Sequence, residues 1–268
     1  MITVLTPTYN RAHTLPRLYE SLRRQTSQDF EWLVVDDGSE DGTRELVAGL
    51  IEQDDVRIRY VFQPNAGKHV ALNTGTLQAR GDTILIVDSD DALVQSAIQQ
   101  IADKFTLYTR EGVKGLCFRK ALLNGDMLGR SVDAEAIELS PTEAAKTFRG
   151  DLAYVFTKAA MASHPFPQIP GEKFVPELYI WNKIGDTGQI VFFPKQVIYL
   201  CEYLPDGYTH NFMSTLKKNP KGFLLFYADQ IGRETSPFVK LKYAIRSLQC
   251  CYFQAVKRLG SRAPQVNH

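Results

Sequence analysis

The first third of the chain alternates short apolar runs with stretches of helical periodicity, and this alternation limits the fold more than any other feature. Apolar runs cover residues 2–6, 30–35 and 83–87, and residues 56–62 alternate apolar with polar side chains. Between these runs, apolar residues recur at the spacing of one helix face. Strands that alternate with helices predict a largely parallel sheet with helices on both faces. We therefore expect an α/β fold.

A polar segment follows three of the predicted strands. These segments are Pro7 to Asn10, Asp36 to Ser39 and Asp88 to Asp91. Ligands of parallel sheets bind beyond the carboxyl ends of the strands, so the three segments should contribute to one site. This convergence is the main functional signal in the sequence.

The third segment has the pattern of a metal site. Alternate residues after a strand project to one side, so Asp88 and Asp90 can converge on a hard cation such as Mg²⁺ or Mn²⁺. The alternative is a helix N-cap, because Ser or Asp before Leu93 would cap a helix well. Three carboxylates within four residues exceed what a cap needs, and they repel one another without a cation.

Two further segments have both a binding and a structural interpretation. Asp36 to Ser39 is either a turn that leads into a helix or a nucleoside contact, in which a carboxylate accepts the N3–H of uracil. Gly67-Lys68-His69 begins a helix whose terminal amides, together with Lys68, could face a phosphate. The alternative for this second segment is a capped helix on the surface.

The C-terminal part of the chain is basic, although the net charge of the whole chain is only +1. Ten of the 31 basic residues but only two of the 30 acidic residues lie after Met213. An anionic partner and ordinary solvated helix faces both explain this asymmetry. An apolar stripe recurs there at helical spacing: Phe238, Leu241, Ile245, Leu248, Tyr252, Ala255, Val256 and Leu259. We expect this stripe to dock on the rest of the protein, with a peripheral membrane contact as the alternative.

Several classes of protein are disfavoured. No apolar run approaches the roughly 20 residues of a membrane span, and the first residues predict no secretory signal. The four cysteines are sparse and form no C-x-x-C pair, so we expect a reducing, cytoplasmic setting. Neither a glycine-rich dinucleotide fingerprint after the first strand nor a P-loop is present. We expect no nucleic-acid partner.

Four motifs together resemble one enzyme family. They are Thr6-Pro7-Thr8-Tyr9-Asn10-Arg11, Val34-Val35-Asp36-Asp37-Gly38-Ser39, Asn65-x-Gly67 and Val87-Asp88-Ser89-Asp90-Asp91. Their order and spacing are similar to those of glycosyltransferase family 2. Each motif alone has only modest specificity for the family, whereas the ordered set is highly specific. The resemblance covers about residues 1–110 and extends more loosely to about 210.

The resemblance implies a GT-A fold, which is Rossmann-like, a nucleotide-sugar donor that we expect to be UDP-linked, a divalent metal (Mn²⁺ or Mg²⁺) and inversion at the anomeric carbon. It assigns residues 1–212 to the catalytic domain and residues 213–268 to a basic helical extension. Within the catalytic domain, residues 1–110 would bind the donor and residues 111–212 the acceptor.

The resemblance also implies roles for individual residues of the donor site. Asp37 would meet the base, whose pocket the segment containing Pro7 and Tyr9 completes, and Lys68 would face the phosphates. Asp88 and Asp90, an Asp-x-Asp motif, would meet the ribose and the metal-bound diphosphate.

The catalytic base of the family usually lies in a Glu-Asp pair before an apolar-Trp helix. Counting back from Trp181 puts Glu177 at that position, but Pro176 stands where the first acid would be, so Glu172 remains a rival. Glu177 could instead be a helix-start acid that the helix dipole favours. In a later polar loop, Asp206 and His210 are candidate metal or diphosphate ligands; the alternative is an Asp-Gly turn with a solvent-facing histidine.

The function expected from these features is sugar transfer to a hydroxyl of a glycan or lipid-linked acceptor, with cell-surface polysaccharide synthesis as the usual context of the family. The alternative is a non-catalytic relative that binds carbohydrate or nucleotide sugar. We expect the protein in the cytoplasm or peripherally at the inner face of the cell membrane. The sugar, the acceptor and the oligomeric state do not follow from the sequence.

Overall fold

The structure is a computed structural model that describes residues 1–108, 110–202 and 211–260, with side chains to residue 257. The chain forms two compact units. The first comprises Met1–Phe166 and Ile180–Glu202, and the second comprises Pro167–Tyr179 together with the C-terminal helices. The predicted division into a catalytic domain and an extension at residue 212 stays a prediction. The compact units divide the chain at other positions.

The first unit is built on one mixed sheet. Its strands are β1 (Ile2–Thr8), β2 (Phe30–Asp36), β3 (Ile58–Phe62), β4 (Thr83–Ile86), β5 (Ala92–Leu93), β6 (Val113–Leu122), β7 (Ile137–Glu138), β8 (Leu152–Thr157) and β9 (Gln189–Cys201). The strand order is β3-β2-β1-β4-β8-β6-β9-β5, and β7 pairs with β9. The four strands β1 to β4 are parallel, as the alternating pattern predicts. Strand β8 is antiparallel to both of its neighbours, β4 and β6.

Helices follow the strands at the predicted positions. They are α1 (Leu15–Arg23), α2 (Thr43–Glu52), α3 (Lys68–Gln78), α4 (Ala97–Tyr108), α5 (Pro141–Phe148), α6 (Lys158–Ser163), α7 (Glu177–Gly185), α8 (Phe212–Lys218), α9 (Pro220–Arg233) and α10 (Pro237–Gly260). A short strand, β5, lies between Asp91 and α4. Strand β9 is long and continues through Pro194 with a register shift beside it.

The core of the first unit lies on both faces of the central strands. Every residue of β1 and β2 is buried, which explains why these segments read as continuous apolar runs. Trp32 of β2 stacks on Tyr19 of α1, with ring centroids 6.2 Å apart, and its Nε1 donates to Thr6 Oγ1 at 3.0 Å. The apolar faces of the helices thus fix the sheet edge at which β1, β2 and β4 end.

The second unit is a small helical cluster. Helices α8, α9 and α10 pack around Leu216, Phe223, Tyr227 and Cys250. Phe174 from the Pro167–Tyr179 segment stacks on Phe223, with centroids 5.4 Å apart. Within the parts of the chain that the structure describes, no helix is both long and apolar enough to cross a bilayer.

A buried carboxylate ties the start of the sheet together. Glu31 lies opposite Thr3 in the β1–β2 register. Its carboxylate accepts hydrogen bonds from Thr3 Oγ1 at 2.7 Å, the Arg80 amide at 2.6 Å and the Arg59 guanidinium at 3.2 Å. Burial raises the pKa of Glu31, but these donors outweigh burial and hold the pKa below its ordinary value.

Replacing this carboxylate should destabilise the first unit. In Glu31→Gln an amide N–H₂ would face existing donors, so we expect a loss of about 1–3 kcal/mol in the free energy of unfolding. The lowered pKa of Glu31 means that its contribution is present above the ordinary pKa of 4.5 and is lost as the pH falls below it. Urea unfolding followed by tryptophan fluorescence measures this. A Glu31→Gln variant as stable as the exposed control Glu52→Gln at neutral pH would contradict it.

Candidate active site

The three polar segments meet at one edge of the sheet, as predicted. The Asp37 amide donates to the Thr8 carbonyl at 2.8 Å, and the Asn10 amide donates to Ser39 Oγ at 2.9 Å. The Val87 amide donates to the Leu5 carbonyl at 3.0 Å, which brings the end of β4 beside β1. These bonds join segments that lie about 30 to 80 residues apart in the chain.

Asp37 is buried, and its carboxylate accepts hydrogen bonds from the loop of residues 63–67, here called the Asp37 loop. Its Oδ1 accepts from Gln63 Nε2 at 2.7 Å and from the Ala66 amide at 2.8 Å, and its Oδ2 accepts from the Gly67 amide at 2.7 Å. A carboxylate offers about four acceptor sites, so Oδ2 retains one for a further donor. Gly67 has a φ of 100° at the start of α3, a conformation that favours glycine.

The preceding acid, Asp36, has a structural role. It accepts from the Ser39 amide at 2.8 Å and from the Tyr60 hydroxyl at 2.5 Å. Burial and the hydrogen bond to Asp36 raise the pKa of Tyr60 to about 12. Gly38 follows with a φ of 85°, and a Cβ there would come within 2.7 Å of the Asn65 amide nitrogen. The turn therefore requires glycine, and it holds Asp37 against the loop.

The carboxylates at the end of β4 have different surroundings. Asp88 pairs with Lys68, whose Nζ lies 2.5 Å from Oδ1. Burial raises the pKa of Asp88, but Lys68 and Lys120 outweigh burial and hold it below its ordinary value. Burial and the charge of Asp88 raise the pKa of Asp90. The same two causes raise the pKa of Asp91 to about 7.

Asp91 accepts hydrogen bonds from β9 and from the residue that follows this strand. Tyr199 donates its hydroxyl hydrogen to Asp91 Oδ2 at 2.7 Å, and the Glu202 amide donates to Oδ1 at 3.3 Å. The same Tyr199 oxygen accepts from the Asp88 amide at 2.9 Å. Tyr199 therefore links the backbone of the Asp-x-Asp motif to the carboxylate of Asp91, the acid that follows the motif.

The donor set at this edge fits a hard divalent cation. In the described parts of the chain no three acidic, histidine or cysteine side chains form a complete metal cage. Mg²⁺ is usually held by one or two carboxylates together with substrate phosphates, and Asp88 and Asp90 provide two mutually repelling carboxylates. Asp206 and His210, the other two candidate ligands, lie outside the described residues.

Cations from separate elements surround these acids. The Lys120 ammonium of β6 lies 3.7 Å from the centroid of the Tyr199 ring. Arg17 of α1 pairs with Glu202 at 2.7 Å and donates to the Asp90 carbonyl. The charge of Arg11 lowers the pKa of Asp90, opposing the effect of burial. Basic side chains from four separate parts of the chain therefore lie around these acids.

Sequence reasoning missed Lys120, Tyr199 and Arg17. Lys120 and Tyr199 face each other only because β6 and β9 pair in register. No local pattern around either residue indicates that pairing. Of the residues predicted for the base pocket, Pro7 is buried opposite Val35, and Tyr9 exposes 47% of its surface beyond β1.

The two candidate bases, Glu172 and Glu177, belong to the second unit. Glu172 is buried, and its carboxylate accepts from the Lys221 amide at 3.0 Å and from the Gly222 amide at 2.9 Å. These amides belong to the first turn of α9, so Glu172 stabilises the start of that helix. Glu177 begins α7 and is partly exposed.

Trp181, from which the register of Glu177 is counted, is a buried anchor of the first unit. Its ring lies 4.8 Å from Phe156, 5.7 Å from Phe166 and 5.9 Å from Tyr154, measured between centroids. The aromatic packing explains why tryptophan occupies this position in α7.

The family model described as glycosyl transferase family 2 matches residues 3–152, which is more than half of the chain. The chain belongs to glycosyltransferase family 2. The matched residues include the whole Asp37 loop and the Asp-x-Asp motif. The predicted family is therefore confirmed.

Curated relatives of the family include named glycosyltransferases. A GalNAc(5)-diNAcBac-PP-undecaprenol beta-1,3-glucosyltransferase of Campylobacter jejuni is 29% identical over 188 residues, covering 67% of this chain and 58% of the relative. An uncharacterised glycosyltransferase of Nostoc sp. is 36% identical over 104 residues, covering 39% of this chain and 32% of the relative. The chain thus spans less than two thirds of the length of these relatives.

Solved structures share the fold. Staphylococcus aureus TarS in complex with UDP-GlcNAc has a TM-score of 0.69 at 18% identity, covering 94% of this chain and 72% of that one. The mannosyltransferase PcManGT of Pyrobaculum calidifontis, in complex with GDP-Man and Mn²⁺, has a TM-score of 0.62 at 18% identity, covering 98% and 76%. The predicted GT-A fold with C-terminal helices is confirmed.

Removing the Tyr199 hydroxyl should loosen the Asp-x-Asp motif of this family member. In Tyr199→Phe the partly buried Asp88 amide and the buried Asp91 carboxylate each lose a hydrogen bond, so we expect the free energy of unfolding to fall by about 1–3 kcal/mol. Thermal or urea unfolding measures the loss. The matched control is Tyr108→Phe, which keeps a ring that lies 5.1 Å from Phe193. Equal stability of the two variants would contradict the positioning role of Tyr199.

Proposed function

We propose that this protein is an inverting, metal-dependent glycosyltransferase that moves a sugar from a nucleotide sugar to a hydroxyl group. The observation that carries the proposal is the acid–cation cluster at the ends of β1, β2 and β4. There Asp88 and Asp90 lie beside Lys68, at the start of a helix that the Asp37 loop holds in place. Family membership supports the same chemistry, and named relatives are glycosyltransferases.

The donor we propose is a UDP-linked sugar. The free acceptor site on Asp37 Oδ2 suits the N3–H of uracil, and backbone around Pro7 and the exposed Tyr9 ring can complete the base pocket. TarS binds UDP-GlcNAc and PcManGT binds GDP-Man with Mn²⁺, which supports a nucleotide-sugar donor for the fold. Which sugar is carried depends on residues that contact the hexose.

Charge neutralisation of the diphosphate is the main task of this site. Asp88 and Asp90 would hold Mg²⁺ or Mn²⁺, which supplies Lewis-acid stabilisation of the departing nucleoside diphosphate. Lys68 begins α3, so its ammonium and the first helix amides can donate to phosphate oxygens. Lys120 adds a second positive charge near Asp88. Such preorganised charges are usually the largest single contribution to a transfer of this kind.

Inversion requires one displacement and one base. The acceptor oxygen forms a bond to the anomeric carbon while the bond from that carbon to the diphosphate oxygen breaks, and the acceptor proton passes to a carboxylate. We assign this role to Glu177. The assignment is supported by the partial exposure of Glu177 and by the bonds of Glu172, whose two oxygens already accept helix amides.

The acceptor we propose is a glycan or a lipid-linked glycan, in cell-surface polysaccharide synthesis. The name of the Campylobacter relative, which includes a PP-undecaprenol carrier, supports a lipid-linked acceptor. Transfer to such a carrier would place the protein at the cytoplasmic face of the membrane.

The experiment that tests this function measures nucleoside diphosphate release from a panel of UDP- and GDP-sugars with Mn²⁺ and simple glycosides as acceptors. We expect release with one donor class and a loss of about 10²- to 10⁴-fold in Glu177→Gln, because the isosteric amide cannot accept the proton. Glu172→Gln is the matched control. It should lower stability through the start of α9 and reduce the rate at least tenfold less.

Three outcomes would revise the proposal. If Glu172→Gln loses more activity than Glu177→Gln while both remain folded, the base is Glu172. If neither change reduces the rate, the register counted from Trp181 is wrong. If no donor is turned over with metal present while UDP still binds, the protein is a binding relative and the proposed transfer is refuted.

A further inference from the structure

Helix α10 has two apolar faces, and one of them packs within the second unit. Tyr243, Cys250 and Phe253 lie on this face and join the cluster around Phe223 and Tyr227. The rings of Tyr227 and Tyr243 stack with centroids 5.9 Å apart. This face alone attaches α10 to α9, so the attachment does not use the apolar stripe noted in the sequence.

The stripe itself is exposed. Its six large side chains retain 47 to 84% of their surface: Phe238, Leu241, Ile245, Leu248, Tyr252 and Val256. Spacings of three and four residues place them in one line, and at 1.5 Å per residue the line is about 27 Å long. Within the second unit the expected docking of this stripe is wrong, because the opposite face of the same helix carries the packing side chains.

The charges around the stripe have one sign. No acidic residue occurs between Glu234 and the end of α10. At 100° per residue, Lys242 lies on one flank of the stripe and Lys240 on the other, and both side chains are exposed. Lys257, near the end of the helix, is also exposed. One lysine therefore lies on each flank of the apolar line near the start of α10.

We propose that this stripe, defined by the six residues from Phe238 to Val256, binds the surface of an anionic lipid bilayer. A helix with an apolar face, basic flanks and aromatic residues lies in the interface between headgroups and acyl chains. Helix α10 has no acidic residue that could neutralise Lys240 and Lys242, and anionic headgroups supply this negative charge. Each such lysine strengthens binding about fivefold.

Charge also argues against a second copy of this chain as the occupant. Two copies of the stripe placed face to face would bring the basic flanks of both helices together, with no acidic residue on either α10 to offset them. Like charges at such distances are unfavourable. The lipid surface offers both an apolar layer and the complementary charge. This inference rests on α10 alone and is independent of the proposed transfer reaction.

The test compares co-sedimentation of the full chain with two vesicle types at low salt. One is pure phosphatidylcholine, and the other is an equimolar mixture of phosphatidylcholine and phosphatidylglycerol. We expect the protein to bind the anionic vesicles at least tenfold more tightly than the neutral ones. Ile245→Glu/Leu248→Glu should lose at least tenfold of that affinity, because it places charge in the stripe. Lys240→Glu/Lys242→Glu should lose at least tenfold through its flanks.

A matched control separates the stripe from apolar exposure in general. Leu107→Glu changes an equally exposed leucine on α4 of the first unit and should leave binding unchanged. All three variants alter exposed residues, and circular dichroism should report the same helix content as the wild type. Tyr252→Trp adds a reporter on the stripe, since Trp32 and Trp181 are buried. Its emission should shift to the blue with anionic vesicles only.

Each contrary result would overturn the proposal. Equal binding to neutral and anionic vesicles would remove the role of the lysines. Unchanged binding of Ile245→Glu/Leu248→Glu, or no shift in the Tyr252→Trp emission, would show that the stripe does not enter the interface. A wild-type dimer that this double variant dissociates, without vesicle binding by the wild type, would assign the stripe to self-association instead.

Discussion

Repulsion among the carboxylates after β4 is the constraint around which the donor site is organised. Asp88, Asp90 and Asp91 lie within four residues, and burial alone would raise the pKa of each. The surrounding elements stabilise these carboxylates in different ways. Lys68 pairs with Asp88, whereas the Tyr199 hydroxyl and the Glu202 amide donate hydrogen bonds to Asp91. Asp88 and Asp90 are the two carboxylates that we propose as ligands of a cation.

The Asp37 loop connects this acidic end of β4 to the nucleoside side of the site. Asp37 holds the amides of Ala66 and Gly67. The next residue, Lys68, reaches Asp88. Residues 66–68 are therefore positioned by Asp37, which follows β2, and they place the Lys68 ammonium beside Asp88, which follows β4. A change in Asp37 would displace Lys68 as well as the proposed base pocket, so the two halves of the proposed donor site depend on the same carboxylate.

Sequence alone predicted the parts of this site that local patterns encode. The apolar runs of β1 and β2, the glycine of the Asp36–Ser39 turn and the Asp-x-Asp motif all have local physical causes. Tyr199 and Lys120 could not be found this way, since their roles depend on the β6–β9 pairing. For α10 the apolar stripe was visible, but helical periodicity cannot tell which of two apolar faces packs against a neighbour. Only the contacts of Tyr243 and Cys250 decide that.

The central claim, that Asp88 and Asp90 bind a divalent cation together with a nucleoside diphosphate, is tested most directly by calorimetric titration with UDP in the presence and absence of Mn²⁺. The account predicts that Mn²⁺ strengthens UDP binding to the wild type and to Asp103→Ala, an exposed acid on α4. In Asp90→Ala this strengthening should be lost while the unfolding midpoint is retained. An Asp90→Ala variant that binds UDP with Mn²⁺ as tightly as the wild type would contradict the assignment.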